Sequence, residues 1–299
     1  MAGYHFVYEA KPAEPVLDYT PTSSAYLTFK RLVAFKLLYI KTAPKDGRVE
    51  RMTTVDLKKP ENILELIKFQ KDLIKQYYRY MGQLVRTQYK NAAILSYWLK
   101  DYLRYLKSEH TFNPNFNMRY KRGQIVYANF GYRIGSELGG CHYAIVLDVH
   151  NAKSNSQLTV VPMKSKRDKE TAYSKLYHVD LYEEVQLLLE KKGIDIMDAQ
   201  AARINSIIHQ YGLAKIDQSP EITKMMADAK RQLAHAQAIE KFAKKLNHES
   251  IADVGQICTI SKIRIVHPLN KRDVLFDVCL SDDAMKRIEK QVKYLFFSK

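Results

Sequence analysis

The sequence predicts an α+β protein in which a small, bent antiparallel β-sheet or barrel ends in a C-terminal helix. Apolar residues recur at helical spacing over residues 60–106, and strand-like alternation begins at Gly123. Helical spacing returns at about 182–250, so a helical insertion interrupts the strand-rich part. We therefore expect an N-terminal domain of residues 1–117 and a second domain of residues 118–299.

The N-terminal domain is expected to be an extended arm followed by an all-helical block. Residues 1–21 contain three prolines and no periodicity, whereas residues 22–40 have helical spacing. Gly82 lies near the middle of the next helical run, which permits either one kinked helix or two helices. The block is rich in tyrosine and basic residues, and its spacing favours a packed seam over a surface that stacks bases.

The second domain is expected to contain short strands joined by turn-rich loops. A loop with four glycines, GYRIGSELGG, separates the first two strands. A closing helix is predicted from Asp282 to Phe297. The predicted strands are QIVYANF (124–130), HYAIVLDV (142–149), QLTVVPM (157–163), LYHVDL (176–181), GQICTISKIRIV (255–266) and VLFDVCL (274–280).

The charge of the chain favours a polyanionic partner. It has 48 Lys and Arg against 32 Asp and Glu, a formal net charge of +16, which would attract nucleic acid, although solvated helix faces give the same excess. Cys141, Cys258 and Cys279 show no paired metal-ligand spacing and suit a reducing compartment. The N-terminus lacks the features of a signal peptide and no window has the roughly 18 apolar residues of a membrane span, so we expect a cytoplasmic protein.

No sequence motif indicates a metal or an organic cofactor, and we expect neither. Cleavage of RNA without a metal needs proton transfer at the ribose 2′-OH and the leaving oxygen, and cations that stabilise the phosphorane. His142 opens the second predicted strand, while Lys164 and Ser165 follow the third. Antiparallel pairing of these strands would bring the three residues together. The spacing alone equally fits a half-buried structural histidine beside a solvated basic loop.

Three segments resemble the PemK/MazF family of toxins from bacterial toxin-antitoxin systems. They are RGQIVYANFGYRIGSELGGCHYAIVLDV, NSQLTVVPMKS and GQICTISKIRI, against the family pattern RGDIV, GSE-x-GG-x-RPA-x-V, PLTS and QIRTI. The resemblance covers about residues 121–181 and 253–298. It implies a bent, SH3-like sheet and a homodimer. It also implies metal-independent cleavage of single-stranded RNA, with inhibition of translation and growth, and a cognate antitoxin as partner.

The sequence departs from the family pattern at the positions of the family's catalytic residues. The family's catalytic arginine aligns with His142, its catalytic threonine with Lys164, and the arginine of QIRTI with Cys258. By resemblance His142 would be the acid or base, Lys164 would stabilise the phosphorane, and Ser165 would donate a hydrogen bond. The resemblance and the basic loop assign RNA binding to Arg133, Ser136, Glu137, Gly139, Gly140, Lys166 and Arg167.

These substitutions leave other functions open. The chain could be a family member that has lost cleavage and binds RNA, DNA or a protein, or a gyrase-inhibiting toxin, since a relative of this fold poisons DNA gyrase. We expect the N-terminal helices to serve as a scaffold that adds basic surface.

Overall fold

The computed structural model describes most of the chain beyond residue 58. Its contacts divide the chain into residues 2–84 and residues 85–299. The predicted arm and the predicted helix at residues 22–40 lie outside the described part. The described residues are residue 59 and residues 62–165, 176–212, 219–244 and 250–297. They form five α-helices and seven strands, which confirms the predicted α+β class.

Within the described residues, two α-helices precede the sheet. Helix α1 spans Ile63–Thr87 and helix α2 spans Tyr89–Glu109. The helices separate at Gln88, whose φ of −147° departs from helical geometry, while Gly82 lies inside α1. Of the two predicted alternatives, two helices is confirmed, although the glycine is not the breaking point.

The seven strands form one antiparallel sheet that is bent but not closed into a barrel. The hydrogen-bonded order is β4-β5-β3-β2-β1-β7, and β6 also pairs with β3. The strands are β1 (Ile125–Asn129), β2 (Cys141–Val146), β3 (Gln157–Ser165), β4 (His178–Tyr182), β5 (Ser250–Asp253), β6 (Cys258–Ser261) and β7 (Ile265–His267). The sheet with its C-terminal helix is the architecture that the resemblance implied.

Strand β3 is the centre of the bend, because it changes partners along its length. Residues 157–160 pair with β6, residues 160–162 pair with β2, and residues 163–165 pair with β5. The antiparallel pairing of β2 and β3 was predicted and is confirmed. Its consequence is that the end of β3 leaves β2 and continues beside β5.

The insertion between β4 and β5 is helical, as predicted. Helix α3 (Glu184–Tyr211) and helix α4 (Pro220–Ala243) pack against each other. The apolar runs at 185–192 and 201–210 belong to one continuous helix. Helix α5 (Asp282–Phe297) closes the chain, which confirms the predicted C-terminal helix. No helix in the described ranges has an apolar stretch sufficient to cross a lipid bilayer.

The sheet carries an apolar cluster on each face, because strand side chains alternate. On one face, here called the helical face, Ile145 and Val161 pack in a cluster that also contains residues of α3, α4 and α5. On the other, here called the loop face, Val126, Ala144 and Val160 pack with Phe130. Both clusters exclude water, so a polar side chain between these strands needs a partner.

The predicted strand VLFDVCL is wrong. Residues 271–277 form turns and a bend, and Cys279 makes only an isolated bridge to Gln124. Leu275 and Val278 are buried in the core although their backbone is not extended, and Asp277 has a φ of 57°. A buried loop thus produced the apolar pattern of a strand. The predicted strand at 255–266 is two short strands, β6 and β7, separated by a 3-10 turn.

Candidate functional site

The loop that joins β1 to β2, residues 130–140, is closed at its neck. The Phe130 amide donates to the Gly140 carbonyl and the Gly140 amide donates to the Gly131 carbonyl, both at 2.7 Å. Gly131 has a φ of +84°, and a β-carbon there would lie 2.7 Å from the Trp98 ring of α2. Only glycine tolerates both the positive φ and the close approach of the indole, so the neck of the loop can pack against Trp98.

Polar contacts fix the loop at both ends. At the neck, the Asn129 side chain accepts from the Gly131 amide at 3.0 Å and donates to the Asp101 carboxylate on α2 at 3.1 Å. Near the far end, the Leu138 amide donates to the Gln256 side chain at 3.2 Å. These bonds connect the loop to α2 and to the turn between β5 and β6, so the loop is pre-organised.

His142 lies on β2 beneath this loop, opposite Ala128 of β1. Its Nε2 is 2.9 Å from the Gly139 carbonyl oxygen, which can only accept, so Nε2 carries the proton and Nδ1 is the basic nitrogen. Burial lowers the pKa of His142 below 6.5, and backbone hydrogen bonds with Gly139 and Met163 oppose part of that shift. At neutral pH the site therefore holds a neutral imidazole.

Lys164 lies on β3 opposite Ile251 of β5, with its charge paired. Its Nζ is 2.8 Å from Oδ2 of Asp253, a buried carboxylate, and the same oxygen is 3.8 Å from His178 Nε2. The Lys164 side chain keeps 31% of its exposure. The lysine is thus neutralised within the chain before any ligand arrives.

The structure brings two of the three predicted catalytic residues to one face. Ala144 of β2 pairs with Pro162 of β3, the last pair between these strands, and strand alternation puts His142 and Lys164 on the same face as that pair. Met163, which hydrogen-bonds to His142 through its backbone, directly precedes Lys164. Ser165 pairs with Ser250, and strand alternation turns its side chain to the opposite face from Lys164.

Among the predicted RNA-binding residues of the loop, Gly139 contacts His142 and Arg133 contacts Glu137. Arg133 donates from Nε to the Phe130 carbonyl at 3.0 Å, and its guanidinium is 3.7 Å from Glu137. Ser136 is exposed, whereas Gly139 and Gly140 are partly buried at the end of the loop. Lys166 and Arg167 lie outside the described residues and stay a prediction.

Sequence reasoning missed the residues that reach this site from distant segments. Arg264 donates from Nε to the Asn129 carbonyl at 2.8 Å, and its guanidinium lies 5.5 Å from the Trp98 ring centre. Asp253 was missed because the sequence reading began the strand after it. The only signal for Arg264 was its place in a segment with family-like pattern, which does not indicate its contacts.

The site contains an imidazole and two guanidinium groups. Among the described residues, no group of three or more His, Cys, Asp and Glu side chains could hold a metal ion. The arrangement offers a neutral imidazole beneath a fixed loop with guanidinium groups beside it. This combination suits proton transfer next to a phosphate, or simple binding of the phosphate.

Comparison with known families gives the same assignment as the motifs. Residues 121–234 match the family described as PemK-like, MazF-like toxin of type II toxin-antitoxin system. The match continues through α3 and into α4, which the motifs had left outside the resemblance, and ends before β5. No curated protein matches the chain significantly. The sheet-forming part of the chain, within residues 121–234, is therefore similar to the PemK-like, MazF-like toxins.

Proposed function

We propose that this chain is the toxin of a toxin-antitoxin pair and that it cleaves single-stranded RNA, including mRNA, without a metal, so that translation and growth stop. The observation that carries the proposal is the neutral His142 imidazole held beneath the family's glycine-rich loop. RNA supplies its own nucleophile, so the protein needs only proton transfer and charge stabilisation.

The proposed reaction begins with proton removal by His142. Its Nδ1 takes the proton from a ribose 2′-OH, and the 2′-oxygen attacks the adjacent phosphorus. The bond to the 5′-oxygen then breaks, which gives a 2′,3′-cyclic phosphate, and the departing oxygen takes a proton from solvent water while protonated His142 returns its proton to solvent. Lys164, on the same face as His142, stabilises the phosphorane. Ser165 points to the opposite face and takes no step in this mechanism.

A His142→Ala variant tests this mechanism. We expect wild-type protein to cleave long RNA in EDTA and the variant to lose about 10²- to 10⁴-fold in rate, as for removal of a general base. His150→Ala is the matched control, since His150 is exposed in the turn after β2. Equal cleavage by wild type and His142→Ala would exclude His142 as the base.

The second candidate function is RNA binding without cleavage, and the Lys164–Asp253 pair favours it. A lysine ammonium that is already paired with a carboxylate at 2.8 Å stabilises negative charge on a phosphate less well than an unpaired lysine. The half-buried His142 would then be a structural residue that fixes the loop through Gly139. Tight RNA binding by wild type, with no cleavage of several RNAs, would favour this function.

The partners follow from the same proposal. We propose that a separate antitoxin protein covers the loop face and blocks RNA, and that the toxin is a cytoplasmic homodimer. The match of residues 121–234 to a toxin family supports both the antitoxin and the second copy of the chain as partners. Light scattering of the purified chain should give about twice the 34.8 kDa of one copy. A mass of one copy at all concentrations would contradict the dimer.

A further inference from the structure

Two arginines flank Cys258, the position at which the family pattern has an arginine. Burial raises the pKa of the Cys258 thiol, while the charges of Arg133 and Arg264 and a hydrogen bond from the Arg133 side chain lower it. Arg133 comes from the loop and Arg264 from the turn before β7. Guanidinium groups from two other segments therefore lie at the place where the family's own guanidinium is missing.

The main chain at the end of β1 holds both arginines. Arg264 donates from Nε to the carbonyl of Asn129, at 2.8 Å, and Arg133 donates from Nε to the next carbonyl, that of Phe130, at 3.0 Å. A guanidinium bound through Nε still has two terminal nitrogens for other acceptors, and in Arg133 one of them lies 3.7 Å from Glu137. The forks are therefore positioned in advance, and the stacking of Arg264 on Trp98 fixes one of them further.

The two positive charges act on each other. Burial lowers the pKa of Arg264, and the charge of Arg133 lowers it further, while Tyr105 and Cys258 act in the opposite direction. The carboxylate of Glu137 approaches Arg133 at 3.7 Å, but that carboxylate is 55% exposed and sits on the loop. Two neighbouring cations that are partly removed from water favour an anion between them.

We propose that Arg133 and Arg264 together form a phosphate-binding site beside Cys258, which replaces the arginine that the family pattern places there. The proposal rests on the proposed function only in naming single-stranded RNA as the source of the phosphate. The site adjoins the imidazole, since Phe130, whose carbonyl holds Arg133, has its ring 6.5 Å from the His142 ring. A phosphate held here would lie beside the group that moves the proton.

The test measures binding separately from cleavage. The probe is a single-stranded 2′-O-methyl oligoribonucleotide, which has phosphates but no free 2′-OH to attack with. We expect Arg133→Gln and Arg264→Gln each to weaken binding roughly tenfold, as for loss of a charge-assisted contact. Each should reduce the slope of log affinity against log salt by about 0.7. Arg231→Gln, an exposed arginine on α4, is the control and should bind as wild type.

Moving the guanidinium provides a second measurement that a purely structural role would not change. In the Arg133→Gln background, Cys258→Arg should restore both the affinity and the salt slope. Unchanged binding by both single variants, with normal thermal unfolding, would overturn the proposal. So would weakened binding that Cys258→Arg does not restore, because the arginines would then only shape the loop.

The outcomes separate this site from the proposed cleavage. If wild type does not cleave RNA but binding falls with each arginine, the phosphate site stands and the nuclease does not. If wild type cleaves RNA and both arginine variants bind the oligonucleotide normally, the nuclease stands and the phosphate site does not.

Discussion

Two pairs of charged side chains, Lys164 with Asp253 and Arg133 with Arg264, differ in the groups that lie against them. Lys164 meets the buried carboxylate of Asp253 at 2.8 Å, so its charge is satisfied inside the protein. Arg133 and Arg264 are instead anchored on neutral carbonyls and repel each other, and the carboxylate nearest Arg133, that of Glu137 at 3.7 Å, is exposed. The number of basic residues therefore does not show which cations can bind a polyanion. A cation is available to bind an anion when the chain pairs it with no buried carboxylate.

The largest expected effect tests the neutralised pair. Asp253→Asn leaves the Lys164 ammonium without its carboxylate in a mostly buried position, which should cost about 2–3 kcal/mol in the free energy of unfolding. Urea denaturation measures this change. Asp228→Asn is the control, because its pair with Arg231 is exposed, and it should leave the midpoint unchanged. Equal midpoints for wild type and Asp253→Asn would mean that the pair contributes no stability.

The next effect concerns the support of the arginine pair. Gly131→Ala combines a φ of +84° with a β-carbon 2.7 Å from Trp98, and should destabilise the fold by about 1–3 kcal/mol. Gly135→Ala has a φ of +63° but nothing within 4 Å, so it carries the backbone strain without the clash. Thermal unfolding should therefore show a larger loss for Gly131→Ala. Equal losses would show that Trp98 yields freely and does not position Arg264.

A smaller effect depends on pH and tests the environment of His142. Burial places the folded-state pKa of this histidine below its unfolded value of about 6.5. The uncharged ring thus contributes stability that is fully present above the unfolded pKa and is lost as pH falls through the folded pKa. The wild type should lose stability relative to His142→Gln as pH falls from about 7 to about 5. Parallel pH profiles in chemical denaturation would contradict this burial.

The smallest expected effect contrasts Lys164 with the arginines directly. Lys164→Met should change the affinity for the 2′-O-methyl oligonucleotide by less than about twofold and leave the salt slope unchanged, because the lysine is already paired. The same titrations used for Arg133→Gln measure it. A fall in slope like that of the arginine variants would mean that Lys164 leaves Asp253 when RNA binds.

The alternation and spacing of apolar residues predicted most of the strands and helices. Alternation and the turn residues indicated β1 to β4. Antiparallel pairing of neighbouring strands then placed the start of β2, with His142, near the end of β3. The helical insertion and α5 followed from their spacing. The failure at 274–280 has the same origin, since apolar composition marks burial and not an extended backbone.

Contacts between distant segments could not be predicted. Asp253 reaches Lys164 from 89 residues along the chain, after the whole helical insertion. Arg264 meets the Asn129 carbonyl across 135 residues, and Trp98 comes from a helix that no motif connected with the loop. The apolar pattern of a sequence indicates whether a residue is buried, but it does not identify the residues that pack against it. The partners that decide whether a charge is available are therefore visible only in the fold.

The bond between Asn129 and Asp101 has a consequence for which residues are needed to build the glycine-rich loop. The family match begins at residue 121, yet the loop neck rests on an indole and a carboxylate that precede it in α2. A chain cut back to the matched segment would keep the glycine-rich loop and lose the indole and the carboxylate that support its neck. The presence of the family-like motifs therefore does not by itself give a complete site, because the loop also needs helix α2, which lies outside the motifs.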